Sequence, residues 1–183
     1  MTSTQVKEVL MDGAALAEAL ERLEQQIREG HQDLGSCALV GIQRRGEYLA
    51  RRLADRLQGE GGKPIKFGTV DVTFHRDDFR TRLPAPKVGS TNISFGVDGL
   101  HIILVDDVLY TGRTVRAAMN SLMDFGRPAS IELAVLVDRG RRELPIQADY
   151  VAQRQVTRGH EHVHVHVEEV DGVDEVLLVE YDR

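Results

Sequence analysis

The sequence predicts an α/β domain built on a mainly parallel sheet flanked by helices, and three features predict it. Apolar runs recur without polar alternation at Cys37–Ile42 (CALVGI), Ile102–Val105 (IILV) and Ser130–Val137 (SIELAVLV). Such runs suit strands covered on both faces. Between them lie stretches with apolar residues at helical spacing, so helix and strand alternate along the chain. The second run also ends on adjacent carboxylates, Asp106 and Asp107, placing them at a strand's carboxyl end, where open α/β sheets bind ligands.

The elements follow in order. Asp12 can cap a helix running to about Glu29, with Leu16, Leu20, Leu23 and Ile27 on one face and Gly30 as its stop. After Cys37–Ile42 comes the turn Gln43-Arg44-Arg45-Gly46. A helix follows, apolar at Leu49, Leu53 and Leu57 and basic at Arg51, Arg52 and Arg56. Ile65–Phe74 alternates and is β-branched enough for a strand. His75–Ser90 is charged, carries Pro84 and Pro86, and has no internal periodicity; a loop of this length is usually functional or disordered. Val115, Ala118, Leu122 and Phe125 then mark a helix whose start is Thr111–Thr114. Beyond Ser130–Val137 lie a charged turn, Asp138–Pro145, and a short strand at Tyr150–Ala152. The tail alternates His162, His164 and His166 with valines, and Glu175–Val179 closes it. No repeat or linker divides the chain, so residues 1–183 form one domain.

Composition removes several classes of function. The 183 residues can bury a substantial core, and 42% hydrophobic with 28% charged residues is ordinary for a globular protein. The single cysteine, Cys37, sits in an apolar run and reads as a core residue, which fits a reduced, cytoplasmic setting. No stretch approaches the roughly 18 apolar residues of a membrane span, and Met1–Val9 is too polar for a signal peptide. A net charge of −6 argues against indiscriminate nucleic-acid binding but allows a local basic patch.

The chemistry concentrates in Asp106–Thr114 (DDVLYTGRT). Free N–H groups at a helix start favour an anion, Gly112 allows close approach, and the hydroxyls of Thr111 and Thr114 add donors. Two carboxylates would repel a bare phosphate. They suit the hydroxyls of a sugar whose phosphate lies in the cup, and Mg²⁺, which takes oxygen ligands and bridges to phosphates. As exposed groups at a strand end they would carry little core packing. The P-loop and dinucleotide fingerprints need glycine spacings that are absent.

Ile102–Thr114 resembles the 5-phosphoribosyl diphosphate (PRPP) signature of type I phosphoribosyltransferases. The stretches VGIQRRGEYLARRL, DVTFHRDD, VDDVLYTGRTVRAAM and LAVLVDRGRRELPIQADY extend the resemblance over most of Leu39–Tyr150. Together they resemble bacterial pyrimidine operon regulators that are also uracil phosphoribosyltransferases. The resemblance implies the type I phosphoribosyltransferase fold with a small hood and a mobile lid at His75–Ser90. It implies transfer of phosphoribose from PRPP to uracil, giving UMP and diphosphate. Asp106 and Asp107 would be catalytic, holding the ribose hydroxyls directly or through water on Mg²⁺. Val108, Leu109 and Tyr110 continue the PRPP site; Thr111, Gly112, Arg113 and Thr114 would hold the 5′-phosphate. Arg44, Arg45 and Gly46 would grip diphosphate, in a loop that relatives often build with a cis non-proline peptide. Arg139 would approach PRPP or the base. Tyr110 stands where 6-oxopurine enzymes place an aspartate beside the purine ring.

The family also implies binding to pyrimidine-operon leader RNA in response to UMP or UTP, favouring transcription termination. Arg141 and Arg142 of the charged turn, with Arg52 and Arg56 of the helix, are the RNA-binding candidates. A transferase confined to pyrimidine salvage is the alternative. The expected assembly is a homo-dimer or higher homo-oligomer, with no membrane partner. Relatives usually read Arg-Gly-His-Arg-Glu-Leu-Pro-Ile-Arg, where this chain has Arg141 for the histidine and Gln147 for the last arginine. They also carry Ile-Pro-Thr-Ser at Gln155–Arg158. His160, His162, His164 and His166 would form a row about 6.7 Å apart on one strand face, which does not converge as a metal site requires; they read as a solvent-facing row above buried valines.

Overall fold

The computed structural model describes residues 4–59, 64–72 and 90–181. In chain order the elements are β1 (Thr4–Met11), α1 (Gly13–Gly30), β2 (Cys37–Ile42), α2 (Arg45–Gln58), β3 (Lys66–Val70) and β4 (His101–Leu109). There follow α3 (Arg113–Met123), β5 (Ser130–Asp138), β6 (Tyr150–Arg154), β7 (Glu161–His166), the one-turn α4 (Glu168–Asp171) and β8 (Glu175–Tyr181). The order β3-β2-β4-β5-β6 makes a five-stranded sheet whose pairs are all parallel. A second, three-stranded sheet, β1-β8-β7, is antiparallel.

The unalternated apolar runs are strands buried on both faces. Cys37, Leu39, Ile103 and Val105 face one cluster with α1, α2 and the valines of β7. Ala38, Val40, Ile102 and Leu104 face the other with α3 and Val97. Each fully buried aliphatic side chain contributes roughly 1.5–3 kcal/mol over its exposed state. At α1 the Asp12 carboxylate accepts from Ala15 N–H at 2.9 Å, as its capping position predicts. Arg28, in the last turn of α1, donates at 3.0 Å to the carbonyls of Arg56 and Leu57, which end α2. That bond satisfies carbonyls no helix can satisfy internally.

Three expectations change, and a fourth concerns residues outside those described. β1 has no counterpart in the sequence reading, because its exposed Lys7 and Glu8 dilute the alternation and its partner strand lies at the far end of the chain. Phe125 lies beyond the end of α3 and is exposed, so the apolar face of that helix ends at Leu122. β4 does not end at Val105. It continues to Leu109, because Val108 and Leu109 still find ladder partners in Val137 and Asp138. Lastly, the lid expected at His75–Ser90 falls, but for Ser90, outside the described residues, and no separate hood is shown among the described residues. The tail and β1 together form the smaller sheet, whose Val163, Val165 and Val176 join the core beside α1.

Candidate active site

Two helix starts meet at the carboxyl end of the parallel sheet. At the first, the chain leaves β2 through a cis Gln43–Arg44 peptide and enters α2. Gly46 lies so close to β4 that a Cβ there would meet the Val105 carbonyl oxygen at 2.5 Å and Asp106 Cα at 3.1 Å. Only glycine allows this approach. Gly41 does the same from β2, where a Cβ would collide with the backbone of Gly46 and Glu47. The arginine turn is thus pressed against the acid pair.

At the second start, Asp106 and Asp107 lie inside β4, 3% and 7% exposed, which corrects the expectation of exposed carboxylates. Asp106 Oδ1 accepts from Asp107 N–H at 2.9 Å, and Asp107 Oδ1 accepts from Val108 N–H at 2.8 Å. The strand's alternation changes phase here: Ile103 and Val105 face the first cluster, as does Val108, while Leu109 faces the second. Past the pair the chain turns at Tyr110 and the buried Thr111, whose Oγ1 accepts from Arg113 N–H at 3.2 Å. Gly112, at φ 92°, occupies the left-handed region that favours glycine, and α3 begins at Arg113 rather than Thr111.

The loop after β5 closes over this turn. Glu143 and Leu144 N–H donate to the Thr111 carbonyl at 3.0 and 3.1 Å, and Arg139 N–H donates to the Leu109 carbonyl at 3.1 Å. Arg142 donates to the Tyr110 and Gly140 carbonyls (2.9 and 3.1 Å) and the Ile146 carbonyl (2.9 Å), and pairs with Asp138 at 2.7 Å. Its guanidinium therefore holds the turn together. Arg139 is buried, 4.1 Å over the Tyr110 ring, and donates to Thr157 Oγ1 at 3.0 Å and the Glu161 carbonyl at 2.6 Å. Burial pulls it below the usual arginine value. It positions Tyr110 rather than reaching into open space.

The remaining candidate arginines separate by their partners. Arg45 pairs with Asp171 through two bonds, at 2.8 and 3.0 Å. Arg52 donates to both Glu169 (2.7 and 2.9 Å) and Asp174 (2.8 and 2.9 Å), which holds it well above the ordinary arginine value. That guanidinium fastens α2 to the segment around α4, so an RNA phosphate would have to displace two carboxylates. Arg56 approaches Glu24 only at 4.0 Å. Arg113, exposed, pairs with Glu143 at 2.6 Å. Arg44 is exposed, and so is Arg141, at φ 59°, which gives one bond to the Thr157 carbonyl at 3.0 Å.

Sequence reasoning missed Asp171, and it placed the β7 histidines in solvent. The valines of that strand are buried as expected, but the histidines are half-buried rather than solvent-facing. His164 accepts or donates at 2.9 Å to the Tyr181 hydroxyl. Burial, with His166, Arg45 and Arg139 nearby, lowers its pKa, and Asp107 opposes them. A periodic pattern shows which residues share a face, not what that face meets.

Comparison with known proteins agrees with this geometry. A family model described as phosphoribosyl transferase domain matches residues 7–171. A protein named bifunctional protein PyrR from Elusimicrobium minutum is 47% identical over 174 residues, covering 95% of this chain and 97% of its own. Its namesake in Bacillus subtilis is 47% identical over 176 residues, with the same coverage. One from Listeria monocytogenes is 49% identical, covering 93% and 95%. Among solved structures, a hypoxanthine phosphoribosyltransferase from Trypanosoma cruzi superposes with a TM-score of 0.73 at 16% identity, covering 96% of each chain. A Staphylococcus aureus hypoxanthine phosphoribosyltransferase gives 0.69 at 19% identity, covering 94% and 92%. At such identities these structures speak for the fold alone.

Proposed function

The chain belongs to the phosphoribosyl transferase domain family and, within it, to the bifunctional PyrR proteins, and on that premise we propose that it is both an enzyme and an RNA-binding regulator. As an enzyme it transfers phosphoribose from PRPP to uracil, forming UMP and diphosphate. As a regulator it binds the leader of pyrimidine-operon messenger RNA when uridine nucleotides are plentiful, favouring transcription termination. The observation that carries the enzymatic half is the buried Asp106–Asp107 pair directly before the Thr111–Thr114 turn, with the Arg44–Gly46 turn packed against it.

In the reaction the bond from the ribose anomeric carbon to diphosphate breaks, the bond to uracil N1 forms, and N1 loses its proton. Asp106 and Asp107 bind the ribose hydroxyls and favour positive charge developing on the sugar. Thr111, Gly112, Arg113 and Thr114 hold the 5′-phosphate, largely through backbone N–H groups at the start of α3. Arg44 and the backbone of Arg45 and Gly46 hold the diphosphate; the Arg45 side chain keeps the turn in place through Asp171. Tyr110 stands beside the ribose and base with its ring held by Arg139, while Val108 and Leu109, whose side chains face the core, contribute backbone. Held together in this way, the reactants meet in one geometry, which supplies much of the acceleration.

Two adjacent carboxylates beside a phosphate cup are a hard, oxygen-only donor set, which fits Mg²⁺. Asp106 and Asp107 would hold Mg²⁺ there, and the ion would supply charge neutralisation for the departing diphosphate. Tyr110 brings no carboxylate to the base and suits a pyrimidine over a 6-oxopurine. For RNA, Arg141 and Arg56 are the contacts retained; Arg52 and Arg142 are committed to carboxylates and carbonyls within the chain. The assembly is a homo-dimer or higher homo-oligomer. Two measurements test the reading. Assays with uracil, hypoxanthine and guanine should show turnover with uracil alone. Titration with pyrimidine-leader RNA should show binding that UMP strengthens. Absence of any leader affinity would leave an enzyme of pyrimidine salvage.

A further inference from the structure

The amino end of the parallel sheet gathers a second set of donor atoms, about 17 Å along β4 from the acid pair. His31 follows α1, His101 opens β4, and Glu132 lies near the start of β5. His31 Nε2 is 2.8 Å from Glu132 Oε2, and His101 Nδ1 is 4.0 Å from Oε1. One ligand atom from each of the three lies within 4.8 Å of the others. Three chain segments thus converge on one point, which the histidine row of β7 cannot do. The carboxylate is already oriented: the Tyr150 hydroxyl donates to Oε2 at 2.6 Å and the Ser130 hydroxyl to Oε1 at 2.8 Å. Hydrogen bonds of this kind, from outside the ligand set, orient metal ligands. Burial would raise the Glu132 pKa, but Tyr150, His31 and Ser130 together keep it below the usual carboxylate value. The His101 side chain is 40% exposed, so solvent and ions can enter.

We propose that His31, His101 and Glu132 bind one late first-row divalent cation, with Zn²⁺ as the reference ion, outside the transferase site. Imidazole nitrogens suit Zn²⁺, whereas Mg²⁺ takes oxygen. Tetrahedral bonds of about 2.0–2.1 Å place ligand atoms roughly 3.3 Å apart, so the three side chains need shifts on the order of 1 Å. The ion takes the place of the hydrogen shared by His31 Nε2 and Glu132, the His31 proton moving to Nδ1, while His101 Nδ1 gives up its 2.8 Å bond to Ser130 Oγ in order to bind. Water completes the coordination. Bound there, the cation ties the end of α1 to β4 and β5.

The test is equilibrium dialysis of the full chain with Zn²⁺ alone, in excess Mg²⁺ so that the acid pair does not compete. Co²⁺ serves as a spectroscopic stand-in. Wild type should bind one Zn²⁺ per chain, give the visible bands of four-coordinate Co²⁺, and melt at a temperature that rises with Zn²⁺ concentration. His31→Gln and His101→Asn should each weaken Zn²⁺ binding by ten-fold or more while keeping the wild-type circular dichroism. Replacing His162 and His164 together by Gln should leave the affinity as it was. The proposal is overturned if wild type binds no stoichiometric Zn²⁺. It is equally overturned if His31→Gln binds as tightly as wild type, or if the β7 substitutions abolish binding. Should His101→Asn fail to fold, His31→Gln alone decides.

Discussion

At the carboxyl end of the parallel sheet, Gly41 and Gly46 let the start of α2 press against β2 and β4 beside two buried carboxylates, and Gly112 lets the turn before α3 lie under Ile146. At the amino end, His31, Ser130 and Tyr150 turn their side chains onto one carboxylate, Glu132. The first end is made of backbone packed closely against backbone. The second is made of side chains that satisfy one another. Substitutions should therefore act on turnover at the first end and on stability at the second, and each prediction below can break that division.

The largest effect is expected at the acid pair. Asp106→Asn and Asp107→Asn keep the side-chain volume but remove charge, and each should lower uracil turnover about 10²–10³-fold. Steady-state rates in saturating Mg²⁺ measure it; a near-native rate would take the pair out of the catalytic site. Gly46→Ala comes next. Its methyl would push against the Val105 carbonyl, so about 1–3 kcal/mol of stability should be lost and KM for PRPP should rise. Urea unfolding beside PRPP titration reads both, and an unchanged KM would mean the arginine turn does not touch diphosphate.

Arg52→Ala should cost about 1–2 kcal/mol, because the ion pairs it breaks are partly exposed and partly screened. RNA affinity and its salt dependence should stay as in wild type; a shallower slope would return Arg52 to the RNA surface. The pH dependence carries a sign. Arg52 holds Glu169 below its usual carboxylate value, and at Asp174 burial raises the value but Arg52 and the Glu168 N–H outweigh it. Lys7, with the Arg158 N–H, likewise lowers Glu161 to about 2. Folded values below unfolded ones mean stability that is present above about pH 4.3 and lost as pH falls toward the folded values. Arg52→Ala should therefore lose less stability than wild type between pH 5 and pH 3, a difference visible in acid titrations of the melting temperature.

Smaller effects separate the ends further. Tyr150→Phe removes one donor to Glu132 and should cost about 1 kcal/mol while leaving uracil turnover unchanged; a fall in kcat would couple the two ends. Arg141→Ala should leave turnover within a few-fold and reduce the log-salt slope of RNA binding by about 0.7, one phosphate contact. Filter binding over a salt series measures this, and an unaltered slope would place the RNA surface elsewhere.

The main strands and helices were legible because they repeat a local rule. CALVGI became β2 residue for residue, Asp12 capped α1, and SIELAVLV became β5 with one residue added. The turn proposed to hold phosphate is local in the same way, since Thr111, Gly112 and Thr114 are close in sequence and lead directly into α3. Local chemistry of this kind is written where it acts. By itself, then, the sequence determined the α/β class, the family, and where the acids and the turn into α3 lie along the chain.

What tertiary structure alone decided is which charges remain available. Arg45, Arg52, Arg139 and Arg142 read as free side chains until Asp171, Glu169, Asp174, Thr157 and the Tyr110 carbonyl are brought beside them. Burial of Asp106 and Asp107 depended on β4 finding ladder partners as far as Asp138, and β1 became a strand only because β8 pairs with it. Arg45 and Asp171, or His31 and Glu132, stand more than a hundred residues apart. No periodicity or spacing encodes such a pair, because the energy that forms it exists only once folding has made the two groups neighbours.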